Sequence, residues 1–305
     1  MREELTTPAG YSFRRTLLSH GWYALAPFSI GPKGTFLETT VTVSKGRAAR
    51  LRMTGEHGRV VVEIPGRLSR AEALAAVAAA RHILALDVDL SEFHALVRED
   101  EKLRWIAETG SGRLLRGATP FEDVVKLVLT TNCSWSLTVK MVRSLVDLWG
   151  DPAPDGTKSF PGAEALARAG ARSLRDRAKT GYRAPYLADL SRRVLRGEVV
   201  PERWQTDPRG TADLAKDLLE LPGVGPYVAQ NLLKFMGRPQ GLGLDSWMRG
   251  KYARIFHGGR RVTDRTIERR YKKLGVWAGP ALWLELTRDW WGDGDEPSGG
   301  WESLT

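Results

Sequence analysis

The chain has 305 residues, with 46 Lys and Arg against 36 Asp and Glu, and its 42% hydrophobic content is enough to fold most of it into two or three packed units. The resulting +10 charge suits a polyanionic partner. A single cysteine, Cys133, excludes an intramolecular disulfide and a four-cysteine zinc or iron-sulfur centre. The opening MREELTTPAGYSF has no apolar stretch of signal-peptide length, and no run reaches the roughly 18 apolar residues of a membrane span, so a cytoplasmic protein without membrane contact is expected.

From residue 13 to about 66 the chain reads as antiparallel strands: TFLETTVTVSKGRAARLRM and GRVVVEIPG alternate apolar and polar residues and are cut by Gly and Pro. At SRAEALAAVAAARHILAL the pattern turns helical, opened by Ser69, and it stays helical almost to the end. Two short helices follow in DLSEFHALVREDEKLRWIAETGSG, with Asp89 or Ser91 as cap. In TPFEDVVKLVLTTNCSW, Thr119 is placed as N-cap, Pro120 at the first helical position and Glu122 for a capping box. A break is expected near Asn132, then a second amphipathic run from about Ser136 to Trp149. Residues 150–162 form a Pro/Gly/Asp loop, short helices continue to Glu220, and GDGDEPSGG at the end reads as a frayed tail. Eleven tryptophans are many for this length, with Trp277, Trp283, Trp290, Trp291 and Trp301 crowded near the end.

The most informative stretch is LELPGVGPYVAQN. Pro222 stops one helix, Gly223 and Gly225 permit a tight turn with exposed backbone, and Pro226 starts the next helix. Such a hairpin at 213–235 presents free amides at a helix N-terminus, a geometry that grips phosphate without reading bases. An ordinary helix corner is the alternative. Further on, GLGLDSWMRGKY places Asp245 after a Gly-rich loop and before a helix, where it serves as an N-cap, a catalytic carboxylate or both.

The hairpin LPGVGPYVA followed by Asp245 resembles the helix-hairpin-helix/Gly-Pro-Asp superfamily of DNA glycosylases. ILALDVDLSEF, LLRGATPFEDVVKLVLTTN, FPG at 160–162 and GYRAPYLADLSRRV resemble, in that order, stretches of 8-oxoguanine DNA glycosylases. The sheet-first layout is shared with these and with 3-methyladenine DNA glycosylase II. The resemblance spans roughly residues 10–290. It implies an α+β protein, with an N-terminal antiparallel sheet domain (1–80) followed by a two-lobed all-helical body (81–305) around a central cleft, in which 81–120 and 265–292 pack as one lobe. A monomer acting on double-stranded DNA that contains a damaged base is expected, with no cofactor and no side-chain metal site. A monovalent cation at the hairpin backbone is the one ion the resemblance suggests.

Chemistry at such a site follows from general principles. Breaking an N-glycosidic bond builds positive charge on the sugar, which a fixed carboxylate stabilises, and the target base must first be flipped from the duplex. Asp245 is the candidate for that carboxylate. The family's bifunctional members carry a nucleophilic lysine two residues after the hairpin's last glycine, where this chain has Tyr227. A phenol cannot form an imine, so hydrolysis without strand cleavage is expected; Lys216 and Lys234 lie elsewhere. By resemblance, Leu282 stands where a base-reading glutamine is found and Asn231 where a cysteine lies beside the base, while Trp283 makes the pocket more aromatic. An alkylated purine is therefore expected first, a deaminated base next, with 8-oxoguanine or mismatch excision, or a non-catalytic DNA-binding module, as alternatives. His20 and Trp22 complete the expected base pocket. Expected DNA contacts are Leu221, Gly223, Val224, Gly225, Asn132, Arg183, Trp247, Arg249 and Lys251, with Arg254 nearby. An iron-sulfur repair enzyme is excluded by the lone cysteine, and no acidic cluster suggests a two-metal nuclease.

Overall fold

The computed structural model describes residues 1–291; Trp301 and the expected frayed tail lie outside the described residues. Strands β1 (Arg2–Thr6), β2 (Ser29–Ile30), β3 (Leu37–Ser44), β4 (Arg47–Glu56) and β5 (Arg59–Glu63) form one antiparallel sheet in the order β1-β5-β4-β3-β2. Alternation drives β4, where Leu51 and Met53 are fully buried and Arg50 and Arg52 face outward to pair with Glu38 on β3. Two expectations fail at this end. Residues 13–24 are not strand: Ser12 caps a short helix α1 (Phe13–Leu17) by accepting the Arg15 amide, and a 3-10 turn spans Gly21–Ala24. Apolar residues there are consecutive, at Leu17 and Leu18, and both are buried, which suits a helix wedged under the sheet. Conversely the polar REELT forms the edge strand β1, burying Leu5 alone.

Helix α2 (Arg70–Ile83) opens with a complete Ser69/Glu72 capping box and packs its alanines on the sheet. Then come α3 (Ser91–Arg98), α4 (Trp105–Glu108), α5 (Pro120–Thr130), α6 (Trp135–Trp149), α7 (Ala163–Asp176, broken at Gly170), α8 (Ala184–Leu195), α9 (Thr211–Leu219), α10 (Pro226–Phe235), α11 (Ser246–His257), α12 (Asp264–Tyr271) and α13 (Ala278–Leu286). Thr119 caps α5 as expected, but only half of the expected box forms. Glu122 reaches the Ala118 amide instead of that of Thr119, because its other oxygen is drawn to Lys126 in a fully buried pair 2.5 Å long.

Two hydrophobic cores result. The larger joins the sheet to α2, α5–α6 and α7–α10. The smaller unites Phe93, Val97 and Ile106 of α3–α4 with Met248, Tyr252, Ile267, Tyr271, Trp277, Leu282 and Leu286 of α11–α13. Chain segments far apart in sequence therefore share one lobe.

Candidate active site

A cleft of about 820 Å³ opens between the two cores. Its larger-core wall carries His20, Trp22, Thr130–Cys133, Trp135, Tyr227 and Asn231, and its smaller-core wall carries Trp247, Met248, Trp277 and Trp283. The hairpin forms part of the rim. Helix α9 ends at Leu219, the turn is fixed by buried Leu221 and Val224 and the bond from the Val224 amide to the Leu221 carbonyl, and α10 begins with Pro226. Gly223 adopts φ +78°, and a Cβ there would stand 3.0 Å from the Tyr186 ring. The positive φ favours glycine, and a side chain there would also press on Tyr186. Leu221 and Val224 thus anchor the hairpin by burial, while Gly225 exposes the backbone of the rim.

Asp245 is the N-cap of α11, its Oδ1 accepting the Met248 amide at 2.7 Å, and it lines the cleft half-buried. Burial raises its pKa above the usual aspartate range, while the Met248 amide, Lys234 and Arg249 pull it back. Lys234, which does not occupy the expected lyase position, is nonetheless part of the site. Two helical turns beyond Tyr227 on α10, it lines the same cleft, donating to the Leu242 carbonyl at 2.7 Å and to Asn231 Oδ1 at 3.4 Å. Room for it comes from Gly243, where a Cβ would stand 2.6 Å from Nζ, and from Gly279, where one would stand 3.0 Å from Cε. Burial lowers its pKa to about 8 against the opposing pull of Asp245. A signal existed in the sequence, since i and i+7 on one helix share a face.

Tyr227 is held by burial at a pKa of about 12, with Thr130 beside its hydroxyl, so it stays a neutral phenol. Asn231 spends its Nδ2 on the Tyr227 carbonyl at 2.8 Å. Trp283 donates to the Ser19 carbonyl and stacks obliquely on Trp247. His20 bonds the Leu115 carbonyl through Nε2 and stacks on Phe235; burial drives its pKa down to about 3, leaving it neutral. Trp22 donates to Asp123, and Trp135, absent from the expected set, faces Gly21 closely enough that a Cβ there would fall 2.6 Å from its ring.

Other expected residues are placed differently. Leu282 is fully buried in the smaller core and is not among the cleft-lining residues. Arg183 is buried and donates to the Thr131 carbonyl, so it shapes the Asn132 turn rather than presenting a free cation. Asn132 itself is exposed at φ +49°, its Nδ2 donating to the Tyr182 hydroxyl at 3.2 Å. Lys251 is committed to Asp289 at 2.7 Å, and Arg249 to both oxygens of Asp264, although Arg249 stays on the cleft rim. Among the described residues no group of three or more His, Cys, Asp or Glu is arranged to hold a metal ion, and no helix is long and apolar enough to cross a membrane.

No family model matches the chain. It is similar to a probable N-glycosylase/DNA lyase of Methanothermobacter thermautotrophicus, 29% identical over 212 residues that cover 61% of this chain and 65% of the relative. It is also similar to a putative DNA-3-methyladenine glycosylase of Bacillus subtilis, 26% identical over 120 residues that cover 39% of this chain and 41% of the relative. The chain thus spans less than two thirds of either curated relative. The 3-methyladenine DNA-glycosylase structure from Archaeoglobus fulgidus matches with a TM-score of 0.70 at 20% identity, covering 94% of this chain and 97% of that one. A sheet joined to a two-lobed helical body, a glycine hairpin at the cleft rim and near end-to-end superposition give the chain the fold of the helix-hairpin-helix/Gly-Pro-Asp DNA glycosylases.

Proposed function

We propose that the protein is a monofunctional DNA glycosylase of base excision repair, which hydrolyses the N-glycosidic bond of a damaged base in duplex DNA. The observation that carries the reading is Asp245: a half-buried carboxylate fixed by the first amides of α11, in a cleft whose rim bears the hairpin. Its charge would stabilise the cationic sugar of the transition state and orient a water, while the hairpin holds backbone phosphate near the flipped nucleotide. The similarity to two curated glycosylases supports the reaction class. Tyr227 supports hydrolysis alone, since the residue at the lyase position has no amine, although one relative's name includes DNA lyase.

The base class follows from the lining. Trp22, Trp135, Trp247, Trp283 and Tyr227 give flat aromatic faces suited to an electron-poor alkylated purine. A deaminated or oxidised base is the second reading, favoured by Lys234, a donor matched to a base carbonyl. The deciding experiment is free-base release from duplexes carrying alkylated, deaminated or oxidised bases, followed by borohydride treatment. Release of one class without a trapped covalent adduct supports the proposal. A trapped adduct refutes the monofunctional reading, and absence of release from every duplex refutes the glycosylase.

A further inference from the structure

One concentration of positive charge lies on the smaller-core lobe, outside the cleft. Residues 254–273 hold eight Lys and Arg and two Asp and Glu, a net +6 of the whole chain's +10. Much of this charge is unspent. Among the described residues Arg254, Arg260, Arg261, Arg265, Arg269, Lys272 and Lys273 are exposed and make no side-chain hydrogen bond or ion pair, whereas Arg270 is held by Glu285 and Asp264 by Arg249.

Within α12 the fold turns the cations to the solvent side. Helix α12 buries Ile267 and Tyr271 against the smaller core, which turns Arg265 and Arg269, one helical turn apart, toward solvent, with Lys272 and Lys273 continuing beyond them. Like charges four residues apart destabilise a helix; of the two acids here Asp264 is held by Arg249, and among the described residues Glu268 makes no ion pair with Arg265 or Arg269. The strip also has a defined place relative to the cleft. Arg249 on the cleft rim grips both oxygens of Asp264, the first residue of α12, at 2.8 and 2.9 Å. A ridge of cations about 12 Å long therefore starts beside the cleft mouth.

We propose that α12 and the turn before it form a second contact with duplex DNA, gripping phosphates that flank the nucleotide in the cleft. The inference rests on the DNA-binding part of the function proposed above, and it does not depend on which base is released. Continuity with the rim favours flanking duplex over an acidic protein, because DNA entering the cleft continues past it with one charge for about every 1.7 Å of axis.

The test is the salt dependence of binding to two undamaged duplexes, one of about 6 base pairs, closed by a loop to stay paired and reaching about 10 Å to either side of its centre, and one of about 30 base pairs, for wild type and for a variant with Arg260→Gln, Arg261→Gln, Arg265→Gln and Arg269→Gln. On the long duplex the slope of log K against log salt should weaken in the variant by about 3 to 4, near 0.9 for each lost phosphate contact. On the short duplex the two proteins should behave alike, and base release from a short damaged duplex should be retained. Matching thermal melts exclude a folding defect, and the corresponding four Lys substitutions should restore the slope. Equal slopes on the long duplex would overturn the proposal and point to another partner. An equal loss on both lengths would also overturn it, by making the strip part of the cleft's own footprint. Failure of the wild type to bind either duplex would instead sink the underlying DNA reading, and the proposal with it.

Discussion

Replacing Asp245 by Asn separates the two roles that the residue combines. As N-cap of α11 the side chain accepts the Met248 amide at 2.7 Å, and an Asn oxygen accepts the same bond. Asn and Asp are near-equivalent caps, so the fold should lose less than about 1 kcal/mol. Chemistry should suffer far more, because an amide neither offsets positive charge on the sugar nor draws a proton from water. Loss of a general base and charge stabiliser is worth about 10²- to 10⁴-fold, or about 3 to 5 kcal/mol of barrier. Single-turnover release of the base from duplex, beside a thermal melt, measures both quantities on one preparation. Asp245→Ala should then lose about 1 kcal/mol of stability through the missing cap, with release no faster than in the Asn variant. Release within about tenfold of wild type for Asp245→Asn would refute the catalytic assignment, and a large fall in melting temperature would show that the residue matters as a cap.

Lys234→Met should move the acid limb of the pH profile for kcat/KM to higher pH, since Lys234 opposes the upward push of burial on the Asp245 carboxyl; an unmoved limb would show that the two charges are uncoupled. Gly223→Ala should weaken DNA affinity, because a left-handed φ of +78° costs an alanine about 1 to 2 kcal/mol and its Cβ presses on Tyr186, and unchanged affinity in an anisotropy titration would remove the hairpin from the interface. Asp123, buried between the Gly117 amide and the Trp22 indole, is raised by burial to about 7. The folded chain then binds more protons at this group than the unfolded chain between the ordinary aspartate value and about pH 7, so its contribution to stability declines as pH rises through that interval. Asp123→Asn should flatten that part of a denaturation series, whereas buried His20 and His82, both lowered by burial, act in the opposite sense and remain in the variant.

What the sequence revealed depended on the range over which each residue acts. The hairpin was legible because Pro222, Gly223, Gly225 and Pro226 constrain their own backbone, and Asp245 because an N-cap is a local event. The caps Ser69 and Thr119 were legible for the same reason, and the full Ser69 box formed as written. Glu122 was misassigned at one bond because Lys126, buried beneath Phe28 and Phe160, competes for it through tertiary packing. Residues 13–24 read as strand because their few polar residues do not reveal the period of a helix of five residues. Lys234 shares a helix face with Tyr227, but only the fold shows that Gly243 and Gly279 leave space for its side chain. Arg183 has a surface-type side chain, and only the fold shows that the Thr131 carbonyl claims it.

The stretch from Ser19 to Gly21 carries a consequence for how the protein can be divided. Ser19 Oγ accepts the Leu115 amide, its carbonyl accepts Trp283 Nε1, and the neighbouring His20 bonds the Leu115 carbonyl. Three segments, one from each lobe and one from the N-terminal region, are tied at one wall of the cleft. A chimera that borrowed a sheet from another protein would import a new pocket wall with it, and a helical body trimmed of its first thirty residues would be left with a site open on one side. The N-terminal segment between β1 and β2 is thus part of the cleft wall, and the cleft keeps its shape only when both parts of the chain are kept together.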